Sequence, residues 1–183
     1  MNFLYFAVVL SRGKGQGIAV LIIACISLTY YFLRSSNIET LMTCSTNPHV
    51  VLVPESLCKY YTLHFRGNKQ DIASLESTSG LSFIFANKLQ TSYFLDFLVK
   101  KGINLNKVSP LTGNTPLSSA VVFNKPDLVK YLLAHGADPS IKTNDDSLGA
   151  FNHHTPLEIA EMMQKNKMQP DRSEVIQILK EHK

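Results

Sequence analysis

Tryptophan is absent from the chain, and its three cysteines form no C-x-x-C pair, which removes the commonest redox and zinc signatures. Charge of one sign is also scarce. Eighteen basic and 14 acidic residues are mixed along 183 positions for a net charge of +4, so no basic stripe tracks a phosphate backbone and nucleic acid is not an expected partner. A glycine-rich phosphate loop is missing: Gly13, Gly15 and Gly17 precede an apolar run and do not open a βαβ unit. There is no G-x-S-x-G elbow. His153 and His154 are adjacent, so their side chains diverge on a loop and do not make the spaced pair a zinc site prefers. His135 stands before a helix-ending glycine, where partial positive charge suits the helix dipole. These absences predict a chain that is not an enzyme, with no cofactor, no metal and no small-molecule substrate.

What is present is a repeated pattern. In Gly113 to Gly136, Thr115 is placed as an N-cap, Pro116 is preset for the first helical turn, and Leu117, Ala120 and Val121 follow at helical spacing. Asn124 and Lys125 interrupt, Pro126 and Asp127 start a second helix with Leu128, Val129, Tyr131, Leu132 and Leu133, and Gly136 ends it. Two such short helices cannot close a core and must stack on copies of themselves. Upstream, Leu81, Phe83, Ala86, Phe94, Phe97, Leu98 and Gly102 occupy the corresponding positions at one constant offset. Downstream, Thr155, Pro156, Leu157 and Ala160 repeat the opening and Glu174 to Leu179 repeat Asp127 to Leu132. The two downstream offsets differ, so this copy carries insertions in two loops.

The phrases TPLSSA at Thr115 to Ala120, TPLEIA at Thr155 to Ala160 and HGADP at His135 to Pro139 resemble the ankyrin repeat, a β-turn and two antiparallel helices in about 33 residues. GINLN at Gly102 to Asn106 is a weaker form of the same exit into the next finger. Ser118 and Glu158 stand where the family has the histidine that fastens the turn, and Leu81-Ser82-Phe83 replaces Thr-Pro-Leu. The resemblance implies an all-α solenoid of about three to four helix-turn-helix units over 55–183: a degenerate N-terminal cap at 55–79, built from Glu55 to Phe65 and GNKQDIASL, then repeats at about 80–110, 111–143 and 144–183.

Before the repeats lie an N-terminal segment, 1–16, and an uncharged run from Gly17 to Leu33 that reaches roughly 25 Å as a helix, near the lower limit for a bilayer span. Tyr30, Tyr31 and Arg34 at its end suit an interface. The favoured expectation is a single transmembrane or signal-anchor helix at 17–33. A lipoprotein acylated at Cys25, within Ile22-Ile23-Ala24-Cys25, and a cleaved signal are the alternatives. Arg12 and Lys14 before the run, against Arg34 after it, favour an exported C-terminal domain on the periplasmic or extracellular side. There Cys44 and Cys58 could pair, or they are two unrelated thiols. Residues 34–54 lack a steady period and are read as a linker, with a short extended segment at Val50 to Val53.

The family resemblance implies a protein partner met along finger tips and first helices. The corresponding positions are Leu111, Thr112, Asn114, Val122 and Phe123 in the middle unit and Lys142, Phe151, Asn152, His154, Met162 and Met163 in and around the last. Val122 and Met163 are equally well read as packing between repeats. The long finger, Ser140 to His154, carries Ile141, Leu148 and Phe151 among polar residues, which suggests a contact covered in a complex. The functional expectation is a membrane-anchored ankyrin-repeat adaptor. It resembles in architecture the envelope-anchored immunity proteins with which some bacteria neutralise a toxin. The rival is a noncatalytic structural subunit of a membrane enzyme complex.

Overall fold

The computed structural model describes residues 14–46, 53–78, 80–81, 91–144, 151–168 and 170–182, with nine helices among them. The expected repeat positions Phe83 and Ala86, the stretch Val50 to Leu52, Leu148 of the long finger and the segment before Lys14 lie outside the described residues. The chain divides into two compact units, Met1–Thr62 and Leu63–Lys183.

In the first unit, helix α1 (Lys14–Ser35) contains the expected apolar run and extends it. Its 22 residues rise roughly 33 Å. From Gly17 to Ser35 it is long and apolar enough to cross a membrane, and Ile18, Leu21, Ile22, Ile23, Ile26 and Leu28 all stand exposed around it. The last turn behaves differently. Leu33 is buried and belongs to one cluster with Leu41, Cys44, Val53 and Cys58, with Phe32 and Tyr61 packed against it.

The linker reading of 34–54 is corrected here: Ile38–Cys44 is a helix, α2. Asn37 caps it, its Oδ1 accepting from the Thr40 amide at 2.8 Å, and Glu39 sits in the first turn where a negative charge opposes the dipole. Ile38, Leu41, Met42 and Cys44 are all buried, so burial of one face stabilises a helix too short to persist alone. A disulfide joins Cys44 to Cys58 of α3 (Glu55–Phe65), with the Cα atoms 5.9 Å apart, within the ordinary range for a bridge. The open question of whether these cysteines pair is thus decided for this fold.

In the second unit, α4 (Lys69–Glu76) begins at Asn68, whose Oδ1 accepts from the amides of Gln70 and Asp71. Before it, Arg66 Nε donates to both oxygens of Asp71 (3.1 and 3.0 Å), and the Gly67 amide donates to Oδ2 at 2.8 Å. Burial alone would raise the Asp71 pKa, but these donors hold it below the usual carboxylate range. Gly67 sits at φ +81, and a Cβ there would fall 2.7 Å from Phe97 Cζ, so that position needs glycine for conformation and for space.

Then follow α5 (Thr91–Lys100), α6 (Pro116–Val122), α7 (Pro126–Ala134), α8 (Pro156–Lys165) and α9 (Ser173–Glu181). Helices α6 and α7 pack as a pair, as do α8 and α9; α6 also packs on α8 and α7 on α9, giving a layer of first helices and a layer of second helices. The two Thr-Pro openings cap their helices as the sequence predicts. Thr115 Oγ1 accepts from the Ser118 amide at 3.1 Å, and Thr155 Oγ1 from the Glu158 amide at 3.3 Å. The residues standing in for the family histidine take over part of the fastening. Ser118 Oγ accepts from Thr115 Oγ1, and the Glu158 carboxylate accepts from the Thr155 amide at 2.7 Å to complete a capping box.

Helix ends repeat as well. The amides of Ile103, Ala137 and Met168 donate to the carbonyls of Leu98, Leu132 and Met163, the six-residue closure that follows a left-handed residue. That residue is Gly102 (φ +85), Gly136 (φ +91) and, in the last unit, Lys167 (φ +53), which accepts the strain a glycine avoids.

Leu132 is fully buried, so Leu132→Ala is expected to lower stability by about 2 to 5 kcal/mol through lost transfer energy and a cavity. Gly136→Val should also lower the melting midpoint, by backbone strain alone, since nothing lies within 4 Å of the added Cβ. Circular dichroism melts in detergent check both. Asp71→Asn should destabilise by about 3 kcal/mol at neutral pH by leaving Arg66 without its anion. Because the folded carboxyl is depressed, its contribution is present above the unfolded pKa of about 3.9 and vanishes as pH falls through the folded value. The gap between wild type and variant should therefore close on acidification.

Candidate protein-binding surface

Each finger is a tight turn held by its own backbone. Between α5 and α6, the Ser109 amide donates to Asn114 O and the Gly113 amide to Ser109 O, both at 2.9 Å. Ser109 Oγ donates to Thr78 O at 3.1 Å, tying the turn to the preceding unit. Neighbouring fingers are joined in the same way. Asn144 N donates to Gly113 O at 2.9 Å, while Asn106 Nδ2 donates to Gly136 O at 3.2 Å and its Oδ1 accepts from the Asp138 amide at 2.8 Å. The finger row is thus a hydrogen-bonded edge that presents a fixed set of side chains.

On that edge the sequence-derived positions separate. Leu111 projects from the turn with 60% of its surface exposed, and Lys142 is exposed on the next finger. Thr112 and Asn114 are half-buried and serve the turn itself: Asn114 Nδ2 donates to Thr112 O at 3.0 Å, and Asn114 Oδ1 is buried without a partner. In the long finger, Thr143 N donates to His154 O and His153 N to Thr143 O, closing the loop into a short ladder. The Thr143 hydroxyl bonds to Phe151 O, and His154 Nδ1 donates to Asn152 O at 2.6 Å. Phe151, Asn152 and His154 are accordingly half-buried, with backbone groups engaged inside the finger. Met162 is half-buried, and Met163 is buried as packing between helices.

Phe123 lies elsewhere. It is the C-cap of α6, a helix of 7 residues, roughly 10 Å long, whose other end meets the finger. It is 44% exposed. The lengthened loop of the last unit reaches its chain neighbours Val122 and Asn124, and Arg172 of that loop is buried. Arg172 Nη1 donates to Met168 O (2.7 Å) and Pro170 O (2.8 Å), and Nη2 donates to Val122 O at 3.2 Å, leaving Nε without a partner. Burial holds its pKa below that of a free guanidinium. A cation suits this place because Val122 ends α6, where carbonyls lack helical partners and carry the negative pole. Asn124 Nδ2 adds a second tie, to Asp171 O at 2.9 Å.

The loop insertion is therefore pinned to the unit before it, and it carries Met168, 46% exposed, to the same guanidinium that holds the residue preceding Phe123. Sequence reasoning missed Met168. The signal was available, an apolar residue inside an otherwise polar insertion. Arg172→Met should lower the melting midpoint, because three carbonyls lose a charged donor worth about 1.5 to 3 kcal/mol in aggregate net terms. Arg172→Lys, reaching one carbonyl at a time, should recover only part. Thermal melts of the two variants check this.

A family model for ankyrin repeats, three copies, matches residues 41–143 and 83–182. Among characterised proteins the chain is similar to alpha-latrocrustotoxin-Lt1a of Latrodectus tredecimguttatus, 40% identical over 52 residues, covering 28% of this chain and 4% of that protein. It is also similar to ankyrin repeat and SOCS box protein 6 of Pongo abelii, 40% identical over 65 residues, and of Homo sapiens, 37% identical over 65 residues, each covering 36% of this chain and 14% of the relative. The chain thus matches only a small part of the length of these relatives. No solved structure gives a significant match. With matched family segments over most of the chain, and paired helices, hydrogen-bonded fingers and left-handed helix exits recurring through the second unit, the chain belongs to the ankyrin-repeat family.

Proposed function

We propose that this chain is a membrane-anchored adaptor that binds another protein through its ankyrin repeats and catalyses no reaction. The observation that carries this reading is the exposure of Leu111, Phe123 and Met168 on an array whose Leu117, Val121, Val129, Leu132, Ile159 and Leu179 are buried. Aromatic and aliphatic side chains left in water on rigid, hydrogen-bonded supports are suited to act as anchors in an interface. Lys142 and the polar groups of Asn152 and His154 would form its rim.

Anchoring is supported by α1, exposed all round and apolar over a bilayer-spanning length. An exported second unit is supported by the Cys44–Cys58 disulfide, which persists in oxidising compartments, together with the charge asymmetry around the apolar run. The sharper version is an immunity protein that neutralises a toxin at the envelope. A noncatalytic subunit of a membrane enzyme is the rival. Copurification in mild detergent separates them: one soluble partner supports the first, a stoichiometric membrane enzyme the second.

Full-length protein should remain with membranes through carbonate washing, and Cys25→Ser should leave that unchanged, since the span and not an acyl chain retains it. Recovery of the intact chain in the soluble fraction would overturn the anchor. In the partner complex, Leu111→Ala and Phe123→Ala should each weaken binding by more than about 1 kcal/mol with little change in melting midpoint. Phe151→Ala is the discriminating case because its ring is half-buried: lost affinity at constant stability marks an anchor, and a lowered midpoint marks a residue that holds the finger.

A further inference from the structure

Leu33, one residue before Arg34 on α1, and Cys58 on α3 are members of the same buried cluster. Helix α3 therefore shares a core with the last turn of α1. That end has the marks of interfacial depth: Tyr30 and Tyr31 are exposed, and Arg34 Nη1 donates to Tyr30 Oη at 3.0 Å, a cation and two amphipathic rings where an apolar helix leaves hydrocarbon. The side of α3 turned into the cluster carries Cys58 and Thr62, both fully buried. Leu57 and Tyr60, three residues apart and so on one face, are 38% and 53% exposed, with Lys59 exposed between them.

Scattered apolar exposure needs no explanation by itself. What distinguishes this face is its place, within one helical turn of Cys58, which shares a core with Leu33 at the end of α1. The disulfide also keeps it there, since Cys58 is covalently tied to α2, which follows α1 directly.

We infer that the Leu57–Tyr60 face of α3 rests in the lipid headgroup layer, so that the bilayer holds the first unit at two places, through α1 and through this face. The inference rests on the reading that α1 spans a membrane. The occupant is the lipid surface, because the face is continuous in depth with the tyrosines and arginine that end the apolar helix. Leucine supplies apolar area to the acyl boundary. Tyrosine, an apolar ring with a polar tip, suits the same depth.

The absence of tryptophan makes a direct test available. Full-length Tyr31→Trp and Tyr60→Trp variants are each placed in phosphatidylcholine vesicles with and without bromine on the acyl chains near the headgroup. Preparations are used in which, after denaturation in SDS, no thiol but Cys25 reacts with maleimide, so that the Cys44–Cys58 bridge is intact. Tryptophan emission should be weaker in brominated than in plain lipid for both variants, as follows if both rings lie at the interface. Quenching at position 31 without quenching at position 60 overturns this inference and leaves the anchor standing. A blue shift at position 60 without quenching also overturns it, because the face is then covered by protein. Quenching at neither position overturns the anchor itself, and this inference with it.

Discussion

A pair of helices with 7 and 9 residues, such as α6 and α7, cannot bury its apolar faces by itself, and every unit of the array is therefore completed by its neighbour. This constraint accounts for where the remaining interactions lie. The bonds that matter most run between units: Tyr131 Oη to Asp96 at 2.6 Å along the second helices, Asn106 to Gly136 and Asp138 along the exits, and Asn144 to Gly113 along the fingers. Burial, together with Asp96, pushes the Tyr131 phenol up to about 12, so this link stays a neutral donor to a carboxylate at physiological pH. By contrast, the exposed pairs Lys130–Glu174 and Lys180–Glu161 contribute little, because water screens both partners.

The same constraint explains the two departures of the last unit. A longer interhelical loop costs little in closure entropy, but a loop left unattached would not present anything reproducibly. Arg172 solves this by donating to the carbonyl end of α6, so the insertion becomes part of the neighbouring unit's surface. The lengthened finger is closed by Thr143 against His153 and His154. Insertions that read in sequence as places for a partner are, at their bases, structural. Only the side chains carried outward, Met168 above all, remain free of that duty.

Much of the second unit was legible because its signals are local and redundant. Thr-Pro openings give capped helices, and glycine past the last apolar residue gives a left-handed exit, so α6, α7, α8 and α9 fall where the pattern places them. Helix α2 was not, since seven residues supply too few turns for a period to stand out, and its stability comes from burial in a core that only the fold assembles. Its signals, Asn37 as cap and Ile38, Leu41 and Met42 at helical spacing, were there to be read. The surface was legible by position and not by role. Leu111 and Phe123 are exposed, while Asn114 serves its own turn, a matter of χ angles that no spacing encodes.

All three cysteines fall in the first unit, so thiol–disulfide chemistry is confined to that third of the chain. A bridge across a separation of 14 residues stabilises by about 3 kcal/mol through restriction of the unfolded chain. That is a large share for a small core built from the last turn of α1, α2 and part of α3. The ankyrin array needs no such staple, because each unit borrows burial from the next. In the first unit, α1, α2 and α3 are joined by this bridge and by the cluster of Leu33, Leu41, Cys44, Val53 and Cys58. The compartment that forms the bridge is then the one in which the last turn of α1, α2 and α3 become a single body.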